Sequence, residues 1–261
     1  MARICPLFSG SSGNSTYILS SEGGILIDAG ASFKSLCESI EVAGGSLDTL
    51  RAVAVTHEHG DHIKGLKTLL KKTGIPIVAS QKTLETLIKS DLIPQDTKIL
   101  YAEQTKEICG IGIERFATSH DCEGSSGYVV KLADGKKIAV CTDLGIVTDE
   151  VRNALMGCDA VLIESNHDIE MLKRGPYPPQ LKLRIMSDNG HLSNNACATE
   201  LKGLLKSGTT RFILGHISKN NNLPMLALSC AKATLADIGA KNGSDYILTV
   251  AKPCSNEVTL I

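Results

Sequence analysis

Short apolar runs bounded by glycine and serine dominate the first part of the chain. RICPLF (3–8), a Gly/Ser turn over Ser9–Ser15, TYILS and GGILIDAG read as successive strands, because apolar runs of four to six residues closed by turn residues suit buried strands. SFKSLCESIEVAG sets Phe33, Leu36, Cys37 and Ile40 on one face at helical spacing. RAVAVT reads as a buried strand, IKGLKTLLKKTG as one helix with a glycine stop, PIVAS as a strand and QKTLETLIKS as a helix. The second half repeats the style. GYVVKLADGKKIAVCTD predicts a hairpin turning at Asp134–Gly135. DEVRNALMGC, NNACATELKGLLKSG (capped by Ser193) and NLPMLALSCAKATLADIGA predict helices, and DAVLIES and TRFILGH predict strands. MLKRGPYPPQLKLRIMS reads as a basic loop. Strands and helices mixed in two similar halves predict a mixed α/β (α+β) protein, a four-layer αββα sandwich in which loops at one edge of both sheets converge on one site.

Composition narrows the classes. The 261 residues hold no linker, repeat or low-complexity tract, so a single domain over 1–261 is expected. A formal net charge of −1 excludes a global polyanion-binding surface, and any nucleic-acid contact must be local. The absence of tryptophan and an aromatic content of 3% argue against base-stacking platforms. No run of 18 apolar residues exists to span a membrane, and MARICPLFSGSSGN lacks the features of a signal peptide. Nine cysteines without a C-x-x-C pair read as reduced thiols, so a cytoplasmic setting is expected.

The chemistry is concentrated at Thr56-His57-Glu58-His59-Gly60-Asp61-His62, after an apolar strand and before a helix. His57 and His59 alternate by two and can clasp one ion. Asp61 and His62 follow the Gly60 bend and can face a second, with Glu58 pointing away. Imidazole suits zinc, iron or manganese, and carboxylate adds a harder ligand. A polar loop of solvent-exposed histidines is the bland alternative. It suits poorly a chain with seven histidines, three of them here.

H-x-H-x-D-H after a strand resembles the metallo-β-lactamase fold superfamily. That resemblance implies further ligands on loops after strands. His120 in ATSHDCEG would complete the first metal site, Asp143 in IAVCTDLG would bridge both ions, and His216 in RFILGHIS would complete the second. Asp28 matches a buried carboxylate that orients ligand imidazoles, although a turn-forming aspartate before Gly30 would look the same. Two ions about 3.5–4 Å apart can lower the pKa of a shared hydroxide and stabilise an oxyanion, which fixes a hydrolase but not its substrate.

His191, on a Gly turn before a helix, resembles the extra histidine of RNase Z-like phosphodiesterases, which protonates the leaving alkoxide. Glu164 in VLIESNHD matches the glutamate beside it. The alternative for His191 is a helix-cap neighbour without catalytic duty; His167 would support the ligands or face substrate, with an ordinary loop histidine as its alternative. FSGSSGNSTYI, THEHGDHIKGL, ESNHD, GPYP, GHLSN and LGHISKNNN together resemble the YycJ/WalJ family, which implies a DNA exonuclease acting from the 5′ end, with Asp61, His191 and Glu164 in the catalytic roles.

Several local features are compatible with a DNA substrate. Lys173, Arg174, Lys182 and Arg184 in the basic loop would grip phosphates, a merely solvated loop being the alternative, and Tyr177 would stack on a terminal base. The Ser9–Ser15 loop, with Ser11 and Asn14, would cradle a phosphate, and Ser218 and Asn220 would touch substrate. The chain lacks the long glycine-rich arm of RNase Z enzymes and the inserted domain of β-CASP nucleases. A small-molecule hydrolase acting on a cyclic phosphodiester, or on a thioester as glyoxalase II does, stays open as the alternative.

Overall fold

The computed structural model describes residues 2–255 and 257–261. Its strands and helices run in the order β1 (Arg3–Phe8), β2 (Ser15–Ser20), β3 (Gly23–Ile27), α1 (Phe33–Val42), β4 (Leu50–Ala54), α2 (Gly60–Ile63), α3 (Leu66–Thr73), β5 (Ile77–Ala79) and α4 (Gln81–Lys89). There follow β6 (Ile99–Tyr101), β7 (Lys106–Ile108), β8 (Ile111–Ala117), β9 (Ser126–Lys131), β10 (Lys137–Cys141), α5 (Asp149–Leu155) and β11 (Ala160–Glu164). The chain closes with α6 (Ile169–Arg174), α7 (Pro179–Ile185), α8 (Asn194–Lys206), β12 (Arg211–Gly215), α9 (Pro224–Ala236), β13 (Ile247–Val250) and β14 (Thr259–Leu260).

Two seven-stranded sheets result, ordered β14-β1-β2-β3-β4-β5-β6 and β13-β12-β11-β10-β9-β8-β7. Central strands are apolar on both faces, because each face is covered. In β3, Ile25 and Ile27 point between the sheets and Leu26 points outward; in β11, Ala160 and Leu162 face inward while Val161 and Ile163 face outward. The inner layer meets across Ile27, Ala54, Tyr128, Val140 and Leu162. Leu36 and Ile40 of α1, Leu69 and Leu70 of α3 and Leu84 and Leu87 of α4 cover the first sheet. Val151 of α5, Leu201 and Leu204 of α8 and Ala231 and Leu235 of α9 cover the second. The expected αββα sandwich is what forms.

Pairing direction decides where the loops emerge. β1, β3, β4 and β5 point one way in the first sheet. β8, β10, β11 and β12 likewise share a direction in the second. The segments after their C-terminal ends carry every residue singled out above as a metal ligand.

Two local expectations change. The helix expected over IKGLKTLLKKTG is divided into α2 and α3, because the Gly65 N–H bonds to Ala29 O at 2.8 Å and leaves the helical ladder. The basic loop contains α6 and α7. Asp168 caps α6 by accepting from Met171 N at 2.8 Å, and Pro179 opens α7 with its fixed φ. Ser193 caps α8 as expected, accepting from Ala196 N. Among the described residues no helix is long and apolar enough to cross a membrane.

Candidate metal centre

The segment Thr56–His62 leaves β4 and is pinned by its own backbone. Asn14 N donates to Asp61 O at 2.7 Å, and Gly30 N donates to Asn14 O at 2.9 Å. The Asn14 and Gly30 segments are therefore layered under the metal-ligating loop. A Cβ on Gly30 would lie 1.8 Å from Asp61 O, so only glycine fits there.

His57, His59 and His120 converge. His57 Nε2 is 3.1 Å from His59 Nδ1, and the His120 ring centroid is 5.1 Å from that of His57 and 5.3 Å from that of His59. His120 Nδ1 contacts Gly190 O at 3.2 Å, which turns Nε2 toward the cluster. Burial holds the His57 and His120 pKa values below the usual imidazole range, with further depression of His57 by His62. These two rings are neutral and competent as ligands.

Asp143 occupies the centre. His62 Nε2 lies 3.3 Å from Asp143 Oδ2, His216 Nδ1 lies 3.1 Å from Oδ1, and Asp61 Oδ2 lies 3.7 Å from His62 Nε2. Burial opposes ionisation of Asp143, but the facing His216 and His62 outweigh it and hold the carboxyl well below the carboxylate range. Burial likewise opposes charge on His62, yet Asp28 and Asp143 raise its pKa to about 10. A field that loads protons onto buried imidazoles is one that a divalent cation exploits by displacing them. Asp143 Oδ2 also lacks a hydrogen-bond partner while fully buried. A polar atom orphaned among imidazoles is costly unless a cation meets it, so the residues present fit a metal.

Asp28, Asp143 and His216 stand at strand ends with φ of 63°, 59° and 51°, a left-handed conformation uncommon outside glycine. Of the two readings of Asp28, the geometry favours imidazole orientation. Its Oδ2 sits 2.8 Å from His62 Nδ1 and accepts from Thr56 Oγ1 at 2.8 Å, while Oδ1 accepts from Thr56 N.

Glu164, fully buried at the end of β11, has four partners. Its Oε1 lies 2.9 Å from His191 Nδ1 and 2.8 Å from His216 Nδ1, and its Oε2 accepts from Leu144 N and Leu192 N. Burial would raise its pKa, but His191 and His216 hold it at about 2. Burial pulls the His191 pKa down and the Glu164 carboxylate more than restores it, so its net shift is upward. Asp143, Glu164, His191 and His216 fall within one potential ligand group.

A cleft opens beside these histidines. His120, His191 and His216 form its floor, with Ser11, Tyr177, Arg184 and Ser218 among the surrounding residues. Ser11, Tyr177 and Ser218 line this cleft. Lys173 and Arg174 do not line it. Both pair with Glu170, at 3.3 and 3.5 Å, an acid just upstream of the basic run. Asn220 also lies outside the lining, though its Nδ2 donates to Tyr177 Oη at 2.8 Å. Asn14 is buried and spans Asp61 Oδ2 and His62 Nε2 at 3.1 and 3.0 Å, so it braces the metal-ligating loop and does not face substrate. His167 is buried with an unpartnered Nδ1, outside the cleft. Glu58 also keeps a buried, unpartnered oxygen, Oε2.

Sequence reasoning passed over Asp121, which follows the ligand His120. Asp121 Oδ1 lies 3.3 Å from His120 Nε2 and 3.5 Å from His59 Nε2. It also passed over Asn166, whose Nδ2 donates to His216 O at 3.0 Å and supports the strained turn. An acid beside a ligand histidine was the available signal for the first; none existed for the second.

Residues 24–217 match the beta-lactamase superfamily domain. The chain is 36% identical over 244 residues to exodeoxyribonuclease YycJ of Bacillus anthracis, covering 92% of this chain and 91% of that protein. It is 36% identical to exodeoxyribonuclease WalJ of Streptococcus pneumoniae, over 92% of this chain and 90% of the relative. The metallo-β-lactamase fold protein YhfI of Bacillus subtilis superposes with a TM-score of 0.73 at 16% identity, covering 99% of this chain and 98% of that one. Zn(2+)-bound PqqB of Methylobacterium extorquens gives 0.67 at 16% identity, covering 99% of this chain and 100% of its own. These two likenesses bear on the fold alone. The chain belongs to the metallo-β-lactamase fold superfamily and, within it, to the YycJ/WalJ family.

Proposed function

We propose that this protein is a dinuclear metal-dependent phosphodiesterase, a DNA exonuclease working in the 5′ to 3′ direction. The observation that carries the reading is His191, held by buried Glu164 beside the histidine and aspartate clusters, with its ring edge in the cleft. A thioester hydrolase has no use for such a group. A phosphodiester does, because its leaving alkoxide needs a proton. Two YycJ/WalJ relatives named as exodeoxyribonucleases support the nucleic-acid substrate.

In this reading His57, His59 and His120 would hold one ion and Asp61, His62 and His216 the other, with Asp143 as a ligand available to both. Divalent ions bound there would supply Lewis acidity, both activating water and neutralising charge that develops on phosphate. Zinc, manganese and iron all suit the donor set. Asp28 fixes the direction of His62, and Glu164 fixes both His191 and His216. His191 Nδ1 stays on Glu164 while Nε2 delivers its proton to the departing oxygen. Domain organisation follows the same reading, with 1–261 acting as one catalytic domain. The nine free cysteines fit a reducing cytoplasm.

End-labelled DNA duplexes test this, with manganese or zinc added and an Asp61→Ala protein alongside. Stepwise loss from the 5′ end, absent in the variant, is expected. A metal-loaded protein that leaves DNA intact with either ion would overturn the exonuclease reading in favour of a small phosphodiester or a thioester.

A further inference from the structure

The cleft wall on the α7 side is bolted to the catalytic loop. His191 N donates to Ile185 O at 2.9 Å, and a Cβ on Gly190 would lie 2.3 Å from Arg184 O. Arg184 therefore has its backbone fixed against the residue preceding His191. Its side chain is fixed as well. Nε donates to Asp121 Oδ2 at 3.1 Å, and Nη2 donates to the same oxygen. Nη1 has no hydrogen-bond partner among the described residues, and Arg184 is exposed at the cleft. Neighbouring cations are otherwise engaged: Lys173 and Arg174 on Glu170, and Lys182 Nζ on Lys173 O at 2.6 Å. Among the described residues no other lysine or arginine lines this cleft.

We propose that Arg184, positioned by Asp121, binds the phosphate next to the scissile one, so that the cleft selects a DNA end carrying a 5′-phosphate; this rests on the phosphodiesterase reading above. Guanidinium donors match phosphate oxygens in a plane, and a side chain already clamped along one edge loses little freedom on binding. Asp121 decides which phosphate is taken. Its Oδ2 holds Arg184 while its Oδ1 faces His59 and His120. The carboxylate thus stands between the guanidinium and the imidazoles, and the anion on the histidine side is not the one Arg184 reaches. The Tyr177 ring, tethered through its hydroxyl to Asn220, lies in the same lining and offers a face to the terminal sugar or base.

The test compares metal-loaded wild type with Arg184→Ala on duplexes identical except for a 5′-phosphate or a 5′-hydroxyl. Bis(p-nitrophenyl) phosphate, which has no second phosphate, serves as a third substrate, and thymidine 5′-monophosphate binding is measured by calorimetry. Wild type should favour the 5′-phosphate end by about tenfold or more, the worth of one charge-assisted contact. Arg184→Ala should equalise the two ends, weaken nucleotide binding by about tenfold and leave the small diester within about twofold. Equal rates in the wild type, a preference surviving in the variant, or parallel loss on all three substrates would each overturn the proposal. Should wild type cleave no DNA, the exonuclease reading fails by itself. Calorimetry then decides Arg184 independently, because unchanged nucleotide affinity in the variant overturns its role.

Discussion

Glu164 Oε1 lies 2.9 Å from His191 Nδ1, so a fully buried carboxylate fixes the imidazole that faces the cleft. Such a pair sets the tautomer and keeps the ring protonated enough to act as an acid. His191→Ala should reduce kcat on a phosphodiester by about 10²–10⁴-fold. Elemental analysis should find the metal content unchanged. Loss of an ion would make His191 a ligand, as its place in the Asp143, Glu164 and His216 group permits.

Asp28 touches no substrate in this reading, yet it should govern metal retention. Asp28→Asn tolerates the φ of 63° but replaces an acceptor that serves both His62 and Thr56. A carboxylate that orients a ligand imidazole is worth about 10–100-fold in metal affinity. Dialysis against a weak chelator should leave the variant with one ion where the wild type keeps two. Equal retention would sink the orienting role.

Asp143→Ala removes the carboxylate that faces His62, His120 and His216. At least one ion should be lost or displaced, as seen by elemental analysis and by the metal-centred spectrum of a cobalt-substituted protein. Full occupancy in the variant would refute the bridging position.

Gly30→Ala forces a methyl into backbone on both sides, 1.8 Å from Asp61 O and 2.4 Å from Asn14 N. Neither neighbour is a flexible side-chain end. Overpacking of this kind costs about 3 kcal/mol, read as a lower urea midpoint, and it should also loosen the Asp61 and His62 ligands. A variant of native midpoint and metal content would show that the three layers yield more easily than their contacts imply.

His167 provides a pH dependence. Burial lowers its pKa from the model-peptide value of 6.5 to about 4, against the weaker opposing pull of Glu164. The unfolded chain thus binds a proton at His167 between pH 6.5 and 4 that the folded chain refuses. Stability from this residue is fully present above pH 6.5 and is lost as pH falls through that window, to about 3 kcal/mol at its lower end. Urea midpoints should fall for wild type relative to His167→Phe as pH is lowered from 6.5 to 4. A constant separation across the window would rule this out.

Much of the centre was legible because its residues are local in sequence or end strongly apolar strands. His57 to His62 announce themselves by spacing, and His120, Asp143 and His216 each follow a run such as IAVC or RFIL that only a buried strand explains. Lys173 and Arg174 were read within one segment, while Glu170 just upstream pairs with both of them. Asn14 was assigned by loop composition, and its brace on Asp61 is a contact across 47 residues.

By itself the sequence determined the alternation of strands and helices and the layered sandwich, because periodicity is a local property, and its family resemblance named the candidate metal-ligating side chains. Tertiary structure alone decided which atoms face one another. Face-to-face packing of the two sheets brings strand ends 100 or more residues apart to one edge, as with Asp28 after β3 and Asp143 after β10. Burial then converts ordinary carboxyls and imidazoles into a coupled set, with Glu164 held at about 2 and Asp143 left with an orphaned oxygen. Arg184, and not Lys173, Arg174 or Lys182 before it, reaches the cleft because α7 folds back onto Gly190. No spacing along the chain records that contact, since it depends on backbone atoms meeting in space.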